Sequence, residues 1–241
     1  MFFSCSSKKN ILFLQDAKLD GSYDYGYSQY EIKVDDILKI TISADNPDAA
    51  IPYNPTILSN NTNISKETLI YNGYIVDSEG FIHISNLDKI YVLGSTLSET
   101  KNLVIENLIN SNLLTKPFVD VKLLNYNFTI LGEVSRPGRY EYNKNNLNIL
   151  EALGMAGDLT INGLRDDIKI IRDINGKKNI SSVDLTKSDF LVSENYQIIS
   201  GDIILVNPNS TRVKNAGLIG NSGTLLSLLS FLLSSIIVIT R

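Results

Sequence analysis

The chain has 241 residues, 43% of them hydrophobic and 20% charged, enough apolar material for a packed core and enough length for two or three small domains. A formal net charge of −4, with no basic cluster interleaved with aromatics, excludes a nucleic-acid binder. One Cys and one His exclude an internal disulfide, a zinc cluster and a supported nucleophile–His dyad, so no enzyme, metal or cofactor chemistry is expected.

The opening, MFFSCSSKK, places the lone Cys5 after two Phe and a Ser, and before small residues and two Lys. No complete signal, charged and then apolar, fits ahead of it. The run is similar to the end of a bacterial lipoprotein signal, with Phe2 where Leu is usual, and that resemblance implies acylation of Cys5. A free thiol is the alternative. Acyl chains would contribute about 0.8 kcal/mol of membrane affinity per buried methylene. Residues 6–29 are polar, with Gly21, Gly26 and clustered Tyr, and read as a linker or extended arm.

Tyr30 to Ser43 alternates as one or two strands. Residues 44–65 carry three Pro and five Asn and read as a loop too polar to pack by itself. Two or three strands follow between Tyr71 and Leu93, with turns at 77–80 and 86–89. His83 alternates with its neighbours there and reads as a surface or packing residue. Thr96 and Glu99 predict a capping box that opens a helix from Leu97 to about Leu113, with Val104, Leu108 and Ile109 facing a sheet. FVDVKLL returns as a strand after Pro117, which gives an α+β unit.

Residues 127–142 read as a strand pair around Pro137 and Gly138. Asn148 and Glu151 cap a short helix that Gly157 ends. IKIIRD and NISSVDL form a hairpin across Asn175-Gly176. The segment 196–208 closes this part and echoes the first strand segment: Tyr30, Ile32, Asp36 and Ile37 match Tyr196, Ile198, Asp202 and Ile203 at one offset. The echo predicts one local structure used twice, an Asp in a turn before a buried strand.

Arg212 and Lys214 then precede a run with no charge from Thr224 for about 17 residues, roughly 25 Å of helix. At 100° per residue Gly220, Gly223, Ser227, Ser230 and Ser234 share a stripe roughly 80° wide, while Leu, Ile and Phe cover the rest. Such a seam suits close helix contacts or a water-filled lumen, and both need several copies to meet. A buried core helix would show the same pattern. The hydroxyls can also bond their own helix.

Taken in order, the motifs resemble the bacterial outer-membrane polysaccharide export lipoproteins of the Bacteroidota type. They are Ser4-Cys5-Ser6, Tyr30-x-Ile32 with Asp36-Ile37, Gly73-Tyr74-x-Val76-Asp77-x-x-Gly80-x-Ile82, Ile130 to Val134, Arg136-Pro137-Gly138, Leu150-Glu151-Ala152 with Ala156-Gly157, and Gly201-Asp202-x-Ile204. Asp35 departs from the usual Gly before the Asp, and Gly157-Asp158 from the usual Gly-Gly. The resemblance implies a lipoprotein N-terminus and linker at 1–29 and a polysaccharide-export α+β domain at 30–125. It implies a β-grasp-like soluble-ligand-binding domain at 126–210 and a C-terminal transmembrane helix of the outer membrane at 211–241. It further implies a homo-oligomeric ring in the outer membrane with its body in the periplasm, and a capsular or extracellular polysaccharide as transported substrate. An inner-membrane polysaccharide copolymerase, often with a tyrosine kinase, would be its partner. The alternative is a membrane-anchored glycan-binding adaptor without a pore. A glycan hydrolase built on Glu133 and Asp158 is disfavoured, because nothing in their spacing singles them out.

Overall fold

Ile37–Ser43 buries Leu38, Ile40 and Ile42 on one face and forms β1, the central strand of the first unit, in the computed structural model. The structure describes residues 11–26, 28–54, 70, 72–174, 176–215 and 222–239. They divide into two units. One comprises Tyr27–Asn127 and Glu141–Asn146, the other Met1–Gly26, Phe128–Tyr140 and Leu147–Arg241.

In the first unit β1 lies between β2 (Tyr74–Ile75) and β5 (Phe118–Leu123), both antiparallel to it, and Ile40 pairs with Val121. β3 (Phe81–Ile82) and β4 (Ile90–Tyr91) make a separate small hairpin. The expected strand from Tyr30 is shorter, because Asp35, at φ +66°, turns the chain just before β1. The loop after β1 is also more ordered than its composition suggests. Asn46 caps α1 (Pro47–Ala50), a 3₁₀ turn follows at Ile51–Tyr53, and Ala50 and Tyr53 are buried. The Asn54 amide both donates to and accepts from the Ile42 backbone, as an added strand would. Residues 55–69 lie outside the description.

α2 (Leu97–Asn110) opens with the expected capping box: the Glu99 carboxylate accepts the Thr96 N–H at 2.8 Å, and Thr96 Oγ1 accepts the Glu99 N–H. It buries Thr100, Val104 and Leu108, an i, i+4, i+8 line, whereas Ile109, expected on this face, stands one residue around and is exposed. The Thr100 hydroxyl in that line is buried without a partner among the described residues. The helix stops before Leu113, where Asn112 takes φ +55°.

The second unit is built on a five-stranded sheet, β10-β9-β12-β6-β7. Its strands are β6 (Asn127–Gly132), β7 (Gly138–Glu141), β9 (Gly163–Ile174), β10 (Lys177–Val183) and β12 (Ile203–Pro208). β12 runs parallel to β6 and antiparallel to β9, so Ile204 and Val206 sit among Ile130, Ile168 and Ile170, all fully buried. The β9–β10 hairpin turns between Ile174 and Lys177, as Asn175-Gly176 predicts. β8 (Leu147–Asn148) pairs with β11 (Gln197–Ile198) and leads into α3 (Ile149–Met155), which Asn148 and Glu151 cap reciprocally.

The N-terminal arm is not a free linker. The Leu14 and Gln15 N–H groups donate to the Leu185 and Thr186 carbonyls, and the Ser188 N–H donates to Asp16 at 2.6 Å. Phe13 lies over the buried guanidinium of Arg165, 5.5 Å from ring to cation, and Tyr25 meets Tyr196 edge-on. The arm therefore belongs to the unit that ends the chain. Cys5 lies outside the described residues.

At the other end α4 (Ser210–Asn215) is followed by α5 (Ser222–Ile239). Among the described residues no helix is long and apolar enough to cross a membrane. The fold by itself therefore does not supply the expected transmembrane helix at 211–241. The 18 residues of α5 rise about 27 Å at 1.5 Å each, less than the roughly 30 Å core of an average bilayer.

Candidate functional site

α4 begins on the body of the second unit. Asn209 Oδ1 accepts the Arg212 N–H at 2.9 Å, and the Asn209 N–H donates to the Asn162 carbonyl at 2.7 Å. Arg212 Nε then faces Glu133 Oε1 at 3.4 Å, while Thr160 Oγ1 donates to Glu133 Oε2 at 2.7 Å. The Glu133 turn can form only because Gly132 sits at φ +93°; a Cβ there would lie 2.0 Å from the Val206 carbonyl oxygen. Glu133, considered as a possible hydrolase carboxylate, is thus the fastening of α4. Asp158 lies in the turn after α3, where its carboxylate accepts the next N–H. Arg212 turns its guanidinium toward Glu133.

The eight described large apolar side chains of α5, Leu226 to Val238, are all exposed, Phe231 at 69% and Val238 at 77%. Burying such side chains contributes about 1.5–3 kcal/mol each, so on the order of 10–20 kcal/mol awaits a partner or a lipid. That removes the reading as a buried core helix. Of the seam residues, Gly223, Ser227, Ser230 and Ser234 are on α5 and exposed, and Gly220 lies outside the described residues. The hydroxyls of Ser230 and Ser234 donate to the carbonyls of Ser227 and Phe231 at 2.9 Å, and Ser235 does the same to Phe231 at 2.8 Å. They need no second helix to satisfy them.

The two echoing segments fold alike. Asp36 Oδ2 accepts the Lys33 N–H at 2.8 Å and Asp202 Oδ2 accepts the Ile199 N–H at 2.9 Å, the same three-residue turn, each directly before its strand. The preceding residue is left-handed in both, Asp35 at φ +66° and Gly201 at φ +90°. Asp35→Gly should therefore raise stability by about 0.5 kcal/mol, read as a higher midpoint in thermal melts, since the left-handed region costs a Cβ-bearing residue more than Gly. The carboxylates differ in what meets them. The Tyr30 hydroxyl donates to Asp36, whereas Arg172 grips Asp202 with both arms, Nε to Oδ1 at 3.0 Å and Nη2 to Oδ2 at 2.7 Å. Burial raises the Asp36 carboxyl to about 6, against the pull of the Lys33 N–H, the Tyr30 hydroxyl and the Lys33 charge, and with a push from Asp35.

Sequence reasoning did not single out Arg172. Its signal was the register: Ile171 pairs with Ile203, which sets residue 172 beside the buried Asp202. His83 is exposed and faces Asp77 at 3.0 Å, a surface residue as expected. Among the described residues no three His, Cys, Asp or Glu side chains gather as a metal site.

These observations define a class: a two-unit α+β protein in which the buried Asp36 and Asp202 each close a turn before a strand, and whose last helix exposes its described large apolar side chains. Residues 25–124 match the family described as polysaccharide biosynthesis/export protein, and residues 127–181 match the SLBB domain. The chain thus resembles polysaccharide export proteins in these two successive segments. It is similar to the EPS I polysaccharide export outer membrane protein EpsA of Ralstonia solanacearum, at 25% identity over 185 residues. That alignment covers 74% of this chain and 48% of EpsA, so the chain spans about half the length of that relative.

Proposed function

We infer that the protein is a subunit of an oligomeric conduit that carries a capsular or extracellular polysaccharide from the periplasm across the outer membrane to the cell surface. The match of residues 25–124 to the export family model and the likeness to an outer-membrane export protein support the substrate class and the membrane. The observation that carries the reading is α5 itself: an uncharged 18-residue helix whose described large apolar side chains are exposed. Its roughly 27 Å is short for an average bilayer but matches the apolar band of about 25 Å around proteins of the bacterial outer membrane. In a ring, each α5 turns Leu, Ile and Phe outward to lipid and Gly223, Ser227, Ser230 and Ser234 toward its neighbours and the lumen. Hydroxyls that already bond their own carbonyls offer a passing glycan weak contacts without holding it. Acylated Cys5 supplies a second membrane attachment, and an inner-membrane copolymerase delivers the chain, as the family resemblance implies.

The same self-bonded hydroxyls favour a second reading, since a helix with satisfied serines also sits alone in lipid as the anchor of a glycan-binding adaptor. Replacing Ser227, Ser230 and Ser234 together by Leu separates the two. The conduit loses surface polysaccharide at least tenfold while the protein stays in the membrane fraction, because the lumen becomes bulky and apolar. Unchanged surface polysaccharide would fit the adaptor and rule out the conduit.

A further inference from the structure

We propose that a cleft of the first unit, beside the first turn of α2, receives one neutral sugar residue. This rests on the polysaccharide reading above and gives it a contact point in the soluble part. The cavity measures about 200 Å³, the room of about seven water molecules at ~30 Å³ each, which suits a single pyranose ring. Its walls come from three separate stretches: Gln29 and Tyr30 before β1, Thr96, Leu97 and Ser98 at the start of α2, and Tyr126 with Asn145 of the returning segment Glu141–Asn146.

The lining holds no Asp, Glu, Lys or Arg, so it has nothing to neutralise a carboxylate or phosphate. Apart from Leu97, what it holds is amide and hydroxyl chemistry, donors and acceptors together, as the vicinal hydroxyls of a sugar require. Among the described residues the Gln29 amide, the Ser98 hydroxyl and Asn145 Nδ2 have no partner, and all three residues are exposed. The floor, by contrast, is fixed. Tyr30 and Tyr126 meet edge-to-face at 5.7 Å, Tyr142 stacks on Tyr126 at 5.1 Å, and the Tyr126 hydroxyl donates to Asn145 Oδ1 at 3.1 Å. Asn145 is therefore held with its Nδ2 uncommitted, and little ordering remains when a ligand arrives. A few neutral hydrogen bonds on a shallow floor give a dissociation constant in the range of roughly 1–10 mM, weak enough to release a chain in transit.

The test is saturation-transfer NMR on the purified full chain in detergent. The probes are short oligomers of glucose, galactose, rhamnose and N-acetylglucosamine, with a hexuronate oligomer as the charged control. At least one neutral oligomer should show transfer, reduced several-fold by Ser98→Trp, which fills the cleft, and by Gln29→Ala with Asn145→Ala, which trims it without bulk. Melting curves of each variant establish that it is folded, and the trimmed variant carries the test if the Trp is not tolerated. No neutral binder, transfer indifferent to both variants, or hexuronate bound equally at the same residues would overturn the assignment. Surface polysaccharide on cells carrying the unaltered protein is scored in parallel, so a failed cleft with intact export removes this inference alone.

Discussion

Arg172→Met should destabilise the second unit by about 3–5 kcal/mol, the largest loss expected from any single substitution outside the hydrophobic core. Asp202 is 1% exposed, and its only cation among the described residues is Arg172, 2.7 Å away. The guanidinium also donates to the Gln197 carbonyl at 2.7 Å, so one side chain ties β9, the β11 strand and the turn before β12. Methionine keeps the stem and strands the carboxylate in the interior. The damage comes from the orphaned charge more than from the lost attraction, so Asp202→Asn added to Arg172→Met should restore most of it while keeping the oxygen that accepts the Ile199 N–H. Urea unfolding followed by a probe within the second unit measures both variants. Equal stability of Arg172→Met and the unaltered protein would show that the pair does not hold the turn.

A second large effect should appear on changing pH. Asp36 is buried, and burial holds its carboxyl at about 6 in the fold against 3.8 for an unperturbed aspartate. Its contribution is full below 3.8, where the group is protonated folded and unfolded alike, and is lost as pH rises through 6, where the fold must hold a desolvated anion. The difference of roughly two units corresponds to about 3 kcal/mol. Asp36→Asn keeps an acceptor for the Lys33 N–H and cannot ionise. It should exceed the unaltered protein by about that amount at neutral pH and match it near pH 4, because Lys33 and Asp35, the charges acting on this site, are common to both. Parallel pH profiles would show that Asp36 is not the titrating group.

What could be read from the sequence was local. The capping boxes at Thr96 and Asn148, the turn before Lys177 and the repeated Asp turn each draw on residues within a few positions of one another, and all are present. α1 escaped notice although Asn46, Pro47 and Asp48 form a regular helix start, because Pro and Asn were weighed only as loop residues. The arm was illegible for a different reason. Its polar residues show no period, and its contact to Ser188 spans 172 positions, so nothing near Asp16 announces the partner. On α2 the three-and-four spacing fitted Ile109 as well as Leu108, and the sheet chose the line that contains Thr100 instead. The seam on α5 was legible as a pattern, but that its hydroxyls close on their own helix is a matter of rotamer that spacing does not encode.

Where α5 ends is the direct test of the export reading. With a short epitope fused after Arg241, antibody staining of intact cells should be strong and should not increase when the outer membrane is opened, because the helix delivers its far end to the outside. Staining that appears only after the outer membrane is opened would place that end in the periplasm and contradict a conduit through the membrane.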